Sequence, residues 1–155
     1  MKAVLYTGGK PLWASVLGDR PWALLPIGSR PLLSYWLELC VDLHITDVQI
    51  ILGQAAEYIE MFCGNGEKWG LNINYSLIRA EDDPQAYLSR DVDRWSDGLL
   101  YIGEALFPRR REDFTTAKMP VLFDGCCVGH ESQSAFFISR DRHAILRFIH
   151  EKSCG

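Results

Sequence analysis

Gly8 and Gly9 close the apolar run KAVLY of residues 2–6, and Lys10 follows at once. Two glycines at the end of a buried strand let the backbone come close to a polyphosphate, with main-chain N–H groups as donors and the lysine as a cation. The chemistry within reach of such residues is the holding of phosphate. Pro11, Leu12 and Trp13 do not extend it. Proline has no N–H and fixes φ where glycine freedom is useful, and tryptophan brings neither charge nor a forked donor.

Other reactive residues are scattered. CCVGH at 126–130 pairs adjacent cysteines with one histidine, without a second ligand pair at a usual zinc spacing. His130 and Glu131 lie near Ser132 and Ser134, but no nucleophile elbow accompanies them. His143 and His150 are seven apart on an expected helix, hence on one face, and read as surface residues. Arg109, Arg110 and Arg111 are followed by Glu112 and Asp113, which reads as a solvated loop or as an anion or partner contact.

Bulk properties narrow the class. The formal net charge of -4 over 155 residues gives no electrostatic footprint for nucleic acid. Cys40, Cys63, Cys126, Cys127 and Cys154 are an odd set without framework spacing, as expected in a reducing compartment. No apolar stretch approaches the roughly 20 residues of a bilayer span, and the N-terminus lacks signal-peptide order. The expectation is a soluble cytoplasmic protein with a single domain over 1–155.

The elements that must position the glycines follow from periodicity. KAVLY reads as a buried strand, followed by a loop of roughly twenty residues, long enough to be functional or disordered. SRPLLSYWLELCVDLH at 29–44 predicts a helix capped by Ser29, with Leu32, Leu33, Trp36, Leu37, Cys40 and Val41 on one face. A strand at 46–52 precedes a helix over 54–66 that stops at Gly64, with Ala55, Ile59 and Phe62 inward. Cys40 and Cys63 fall at apolar positions and read as core.

A further strand is predicted at 71–78, and a helix over 84–95 with Ala86, Leu88, Val92 and Trp95 on its apolar stripe. Strands are expected at 98–103, 119–123 and 134–139, and a last helix from about Asp141 to Lys152. Strands alternating with helices predict a three-layer α/β architecture, a mainly parallel sheet flanked by helices. Its ligands would bind outside the carboxyl ends of the strands, where the loop after the first strand and the segment after GLLYIG share one rim.

In order and spacing, KAVLYTGG, ALLPIGSRPLLSYWLELC at 23–40 and ILGQAAEYIEMFCGNGEKWGLNINYSL at 51–77 resemble the sugar-1-phosphate nucleotidylyltransferases, with a weaker echo in SAFFISRDRHAILRFI at 134–149. The resemblance implies a Rossmann-like nucleotidyltransferase fold, here truncated. It also implies a reaction in which a sugar 1-phosphate attacks the α-phosphorus of a nucleoside triphosphate and releases pyrophosphate. Such a site must gather anions in line and neutralise growing charge with Mg²⁺ and cationic side chains.

The family pattern continues after the paired glycines with glycine, threonine and arginine, where this chain has Pro11, Leu12 and Trp13. Trp22, after Pro21, stands where a lysine is expected, and Lys10 or Arg20 is the candidate substitute charge. AEDDPQAYL at 80–88 replaces a glycine-containing base-contacting loop with Glu81, Asp82 and Asp83, which would repel a nucleotide or simply mark an acidic helix start. Glu104 takes the place of a metal-binding aspartate and reads as a residual Mg²⁺ ligand or an exposed loop residue. Asp124 and Asp141 are the candidates for a second carboxylate.

Two functions follow. One is a nucleotidyltransferase-like pseudoenzyme without a cofactor, a binding, regulatory or assembly module in sugar-nucleotide or polysaccharide metabolism. It would keep Gly8, Gly9 and Lys10 as a remnant nucleotide site, and Trp13 and Trp22 would plug the vacated pocket or meet a partner. The partner would be a second copy, an active relative or a polysaccharide-producing assembly. The alternative is a small, divergent, Mg²⁺-dependent sugar-1-phosphate nucleotidylyltransferase.

Overall fold

The computed structural model describes residues 1–9, 16, 18, 20–53, 55–79, 82–103 and 136–150. The expected strand at 119–123 and the candidates Lys10, Pro11, Trp13, Glu81, Glu104 and Asp124 lie outside these residues, as do Arg109–Arg111 and the CCVGH segment.

β1 (Lys2–Tyr6) forms the centre of a five-stranded sheet. It pairs in parallel with β4 (Asp47–Leu52) on one side and with β6 (Leu99–Ile102) on the other. β5 (Asn72–Leu77) extends the sheet beyond β4 in parallel, and β7 (Phe136–Ser139) extends it beyond β6 in antiparallel. The order is therefore β5-β4-β1-β6-β7. A two-residue ribbon, β2 (Pro26–Ile27) with β3 (Arg30–Pro31), stands between β1 and the first helix.

Alternation along the strands feeds two cores. Ala3 and Leu5 face one side with Val48, Ile50 and Leu52, under α1 (Leu32–Asp42) and α2 (Ala56–Cys63). Val4 and Tyr6 face the other with Ile51, Leu99, Tyr101 and Phe137, under α3 (Pro84–Ser89) and α4 (Arg142–His150). Parallel strands covered on both faces are expected to be apolar throughout, which is why KAVLY and LLYI read as continuous runs.

The helices depart from expectation in instructive ways. α1 starts three residues later than 29, and Pro31 rather than Ser29 is its N-cap, because residues 26–31 are spent on the ribbon. That ribbon is tied to α1 by the Tyr35 hydroxyl donating to the Ile27 carbonyl (2.7 Å) and by Arg30 pairing with Glu38. Val41 is exposed, whereas Leu33, Trp36, Leu37 and Cys40 are fully buried.

α2 ends at Gly64 with φ 55°, as the glycine implied, and buries Ile59 and Cys63; Ala55 and Phe62 are only half-buried. The stretch 84–95 is not one helix but α3 followed by a short 3-10 turn, Val92–Trp95. Leu88 and Trp95 are buried from these two pieces, while Ala86 is exposed.

Candidate functional site

The chain runs from β1 outward to β4 and β5, then returns to place β6 on the other flank of β1. The strand order thus reverses between β1 and β6, and the crevice at the carboxyl ends of such a pair is where open parallel sheets bind ligands. Thr7, Gly8 and Gly9 leave β1 at that end, Gly53 leaves β4 beside them, and Gly103 leaves β6.

The rim is fixed by backbone contact. Thr7 donates twice to the Ile51 carbonyl, from its N–H and its hydroxyl, each at 3.0 Å. Directly beyond, Gly8 and Gly53 lie back to back: a Cβ on Gly53 would sit 2.5 Å from the Gly8 Cα, and a Cβ on Gly8 would sit 3.1 Å from the Gly53 Cα. Neither position accepts a side chain without moving main chain. The glycines therefore have a packing reason to be there, independent of any ligand.

Trp22 occupies the first turn after the loop, in a 3-10 turn spanning Trp22–Leu24. It is 4% exposed, edge-on to Trp36 with ring centres 5.7 Å apart. Its indole Nε1–H donates to the Gly9 carbonyl at 2.5 Å. The ring is thus a core residue whose single polar atom anchors the second rim glycine, and it offers no exposed aromatic surface.

The side of the rim contributed by α3 is acidic and self-satisfied. Asp83 caps α3 by accepting from the Gln85 N–H (2.9 Å), and Asp82 accepts from the Arg79 N–H (3.1 Å). The first bond is the use expected of a carboxylate at a helix start, and the second closes the turn before it. The Tyr6 phenol is held above its ordinary range, first by burial and then by the negative charge of Asp83, which places that charge near the end of β1. Gln85 is 3% exposed, and its Oε1 has no hydrogen-bond partner among the described residues.

Of the expected site residues, Gly8 and Gly9 lie on the rim together, and Trp22 touches Gly9 from below. Arg20 is exposed. Asp141, a candidate second metal carboxylate, is occupied as the cap of α4, accepting from the His143 and Ala144 N–H groups at 3.3 Å. His143 and His150 are exposed. Among the described residues, no cluster of three or more His, Cys, Asp or Glu could hold a metal ion.

Gly53 and Gln85 were missed by sequence reasoning. Gly53 had a signal: it ends DVQIIL as Gly8 ends KAVLYT, and paired strands that both stop at glycine invite close backbone approach.

No protein-family model matches the chain. A glucose-1-phosphate thymidylyltransferase of Streptomyces griseus is 31% identical over 108 residues, 67% of this chain and 30% of that protein. The low-salt glycan biosynthesis nucleotidyltransferase Agl11 of Haloferax volcanii is 32% identical over 109 residues, with the same shares. Over about two thirds of its length the chain is thus similar to sugar-1-phosphate nucleotidylyltransferases.

It spans 30% of the length of these curated relatives. Among solved structures, a glucose-1-phosphate thymidylyltransferase from Bacillus anthracis in complex with sucrose superposes with a TM-score of 0.60 at 18% identity, covering 94% of this chain and 73% of that one. A UDP-glucose pyrophosphorylase complexed with UDP-glucose gives a TM-score of 0.55 at 15% identity, covering 79% and 52%. These two likenesses bear on the fold, and they agree with a mostly parallel sheet flanked by helices. No helix among its described residues is long and apolar enough to cross a membrane.

Proposed function

We propose that this chain is a pseudoenzyme, a nucleotidyltransferase-like fold kept as a binding, regulatory or assembly module in sugar-nucleotide or polysaccharide metabolism. The observation that carries the reading is Trp22. Where the family resemblance calls for a lysine, an indole is buried against Trp36 and spends its only donor on the Gly9 carbonyl.

A residue so placed supplies no charge to a phosphate. Swinging it outward would lose a hydrogen bond worth about 1 kcal/mol and the burial of a large ring worth about 2–3 kcal/mol. Losing one preorganised donor to a transition-state anion costs an enzyme about 3–4 kcal/mol, and here the arginine position is a tryptophan as well. The negative charge of Asp83 near β1 works in the same direction.

If Mg²⁺ acted here, Glu104 would be its ligand and the ion would neutralise phosphate charge. The test is pyrophosphate release by the unmodified protein, supplied with each nucleoside triphosphate, sugar 1-phosphates and Mg²⁺. Release at the rate of buffer alone is expected, and it should persist when Trp13→Arg and Trp22→Lys are combined, because Pro11 and the acidic α3 start remain. Sustained release by the unmodified protein would instead assign the phosphate charge to Lys10 or Arg20 and make this a divergent working nucleotidylyltransferase.

A further inference from the structure

At the opposite end of the sheet from the glycine rim lies a second concavity, about 200 Å³ in volume, lined by Lys2, Asp47, Gln49, Asn72, Asn74 and Arg94 over Ala3, Val48 and Trp95. Register explains the lining. Lys2 pairs with Asp47 and Asp47 with Asn72, while one row on Gln49 pairs with Asn74, so these side chains share one face of three adjacent strands. Parallel strands inside such a sheet are ordinarily apolar on both faces, and here one face breaks that rule at Lys2 of β1, Asp47 and Gln49 of β4, and Asn72 and Asn74 of β5.

The departure is structured. Gln49 is 5% exposed, and a buried carboxamide is costly if left unpaired. Its Nε2 donates to the Ser76 hydroxyl at 2.7 Å, that hydroxyl lies 2.8 Å from the Tyr87 hydroxyl, and its Oε1 accepts from the Arg94 guanidinium at 3.3 Å. The guanidinium also stands 5.3 Å from the centre of the Trp95 ring. The buried network therefore ends by holding a cation at the wall of the cleft.

Among the described residues, Lys2 makes no ion pair, and Asn74 has no side-chain hydrogen bond. Asp47 accepts from the Asn72 amide at 3.2 Å. Two cations and one carboxylate line the cleft, in a chain whose net charge is -4.

We propose that this cleft binds the oxyanion group, phosphate or carboxylate, of a small hydroxylated molecule. Arg94 presents a planar fork that fits two oxygens of either group, Lys2 adds a point charge, and Asn74 donates an amide hydrogen. Asp47 repels the anion itself and accepts from a neighbouring hydroxyl, so it favours a ligand that carries both. The volume lies below the roughly 300–1,000 Å³ of pockets for drug-sized ligands, so the occupant is smaller than these. The site is independent of the rim and of the function proposed for it.

Amide NMR of the full chain, titrated separately with inorganic phosphate, gluconate and neutral glucose, tests this. Saturable shifts at the Asn72 and Asn74 side-chain amides and the Arg94 Nε–H are expected with phosphate or gluconate, and whichever binds more tightly identifies the group. Arg94→Gln and Lys2→Gln should each weaken that binding at least about tenfold, the loss of one charge-assisted contact, with the rest of the spectrum unchanged. The proposal is overturned if these signals do not saturate at millimolar phosphate or gluconate, if glucose binds equally well, if both variants bind as the parent does, or if the shifts arise only at Gly8 and Gly9.

Discussion

A methyl group on Gly53 would press to 2.5 Å from the Gly8 Cα, with main chain on both sides of the contact. Gly53→Ala should therefore destabilise the fold by about 2 kcal/mol or more, read as a lowered urea midpoint. Trp22→Phe keeps most of the ring and removes the bond to Gly9, for an expected loss of about 1–2 kcal/mol in the same experiment. Trp22→Lys should cost about 3 kcal/mol or more, because it also forfeits the packing on Trp36 and buries an ammonium without a partner.

The two described cysteines give a pH prediction at the same scale. Burial pushes the Cys40 and Cys63 thiols up to about 12, from an ordinary value of 9.0. The native state keeps protons that the unfolded chain releases, so unfolding becomes easier as pH rises from near 9 towards 12, and this contribution is whole below that window. Urea midpoints measured from pH 8 upward should fall through the alkaline range. Alkylation mapped by mass spectrometry should leave both thiols unmodified at neutral pH until denaturant is added.

Among the elements, the helix ends test how local sequence was used. Asp141 caps α4 through the His143 and Ala144 N–H groups, so Asp141→Ala should cost about 1 kcal/mol, measured as a shift in the urea midpoint, without moving signals at the glycine rim. Ser29 was equally suited to a cap by residue type, yet the chain gives residues 26–31 to a ribbon and starts α1 after Pro31. Propensity names the capable residues, and tertiary packing decides which are used. The same competition divides 84–95: Leu88 and Trp95 both reach the core, but from a helix and a 3-10 turn, with the Trp95 indole donating to the Leu88 carbonyl at 3.1 Å.

For the whole molecule, the parallel architecture was readable because strands alternate with helices and because AVLY, IIL and LLYI are continuous apolar runs, as strands covered on both faces should be. The rim followed from it, since parallel strands put their carboxyl ends together. What could not be read was how the rim closes. The contact of Gly8 with Gly53 joins residues 45 positions apart, and the turning inward of Trp22 depends on its packing against Trp36, which no local pattern encodes.

The most direct test of the account is site-resolved binding at the rim. Gly8, Gly9 and Gly103 amide signals should be followed by NMR as Mg²⁺ and each nucleoside triphosphate are raised to millimolar concentration, in the parent and in Arg94→Gln to separate any binding at the distant cleft. The three signals are expected to stay where they are. Saturable movement of Gly8 and Gly9 in both proteins would contradict the claim that this rim no longer holds a triphosphate.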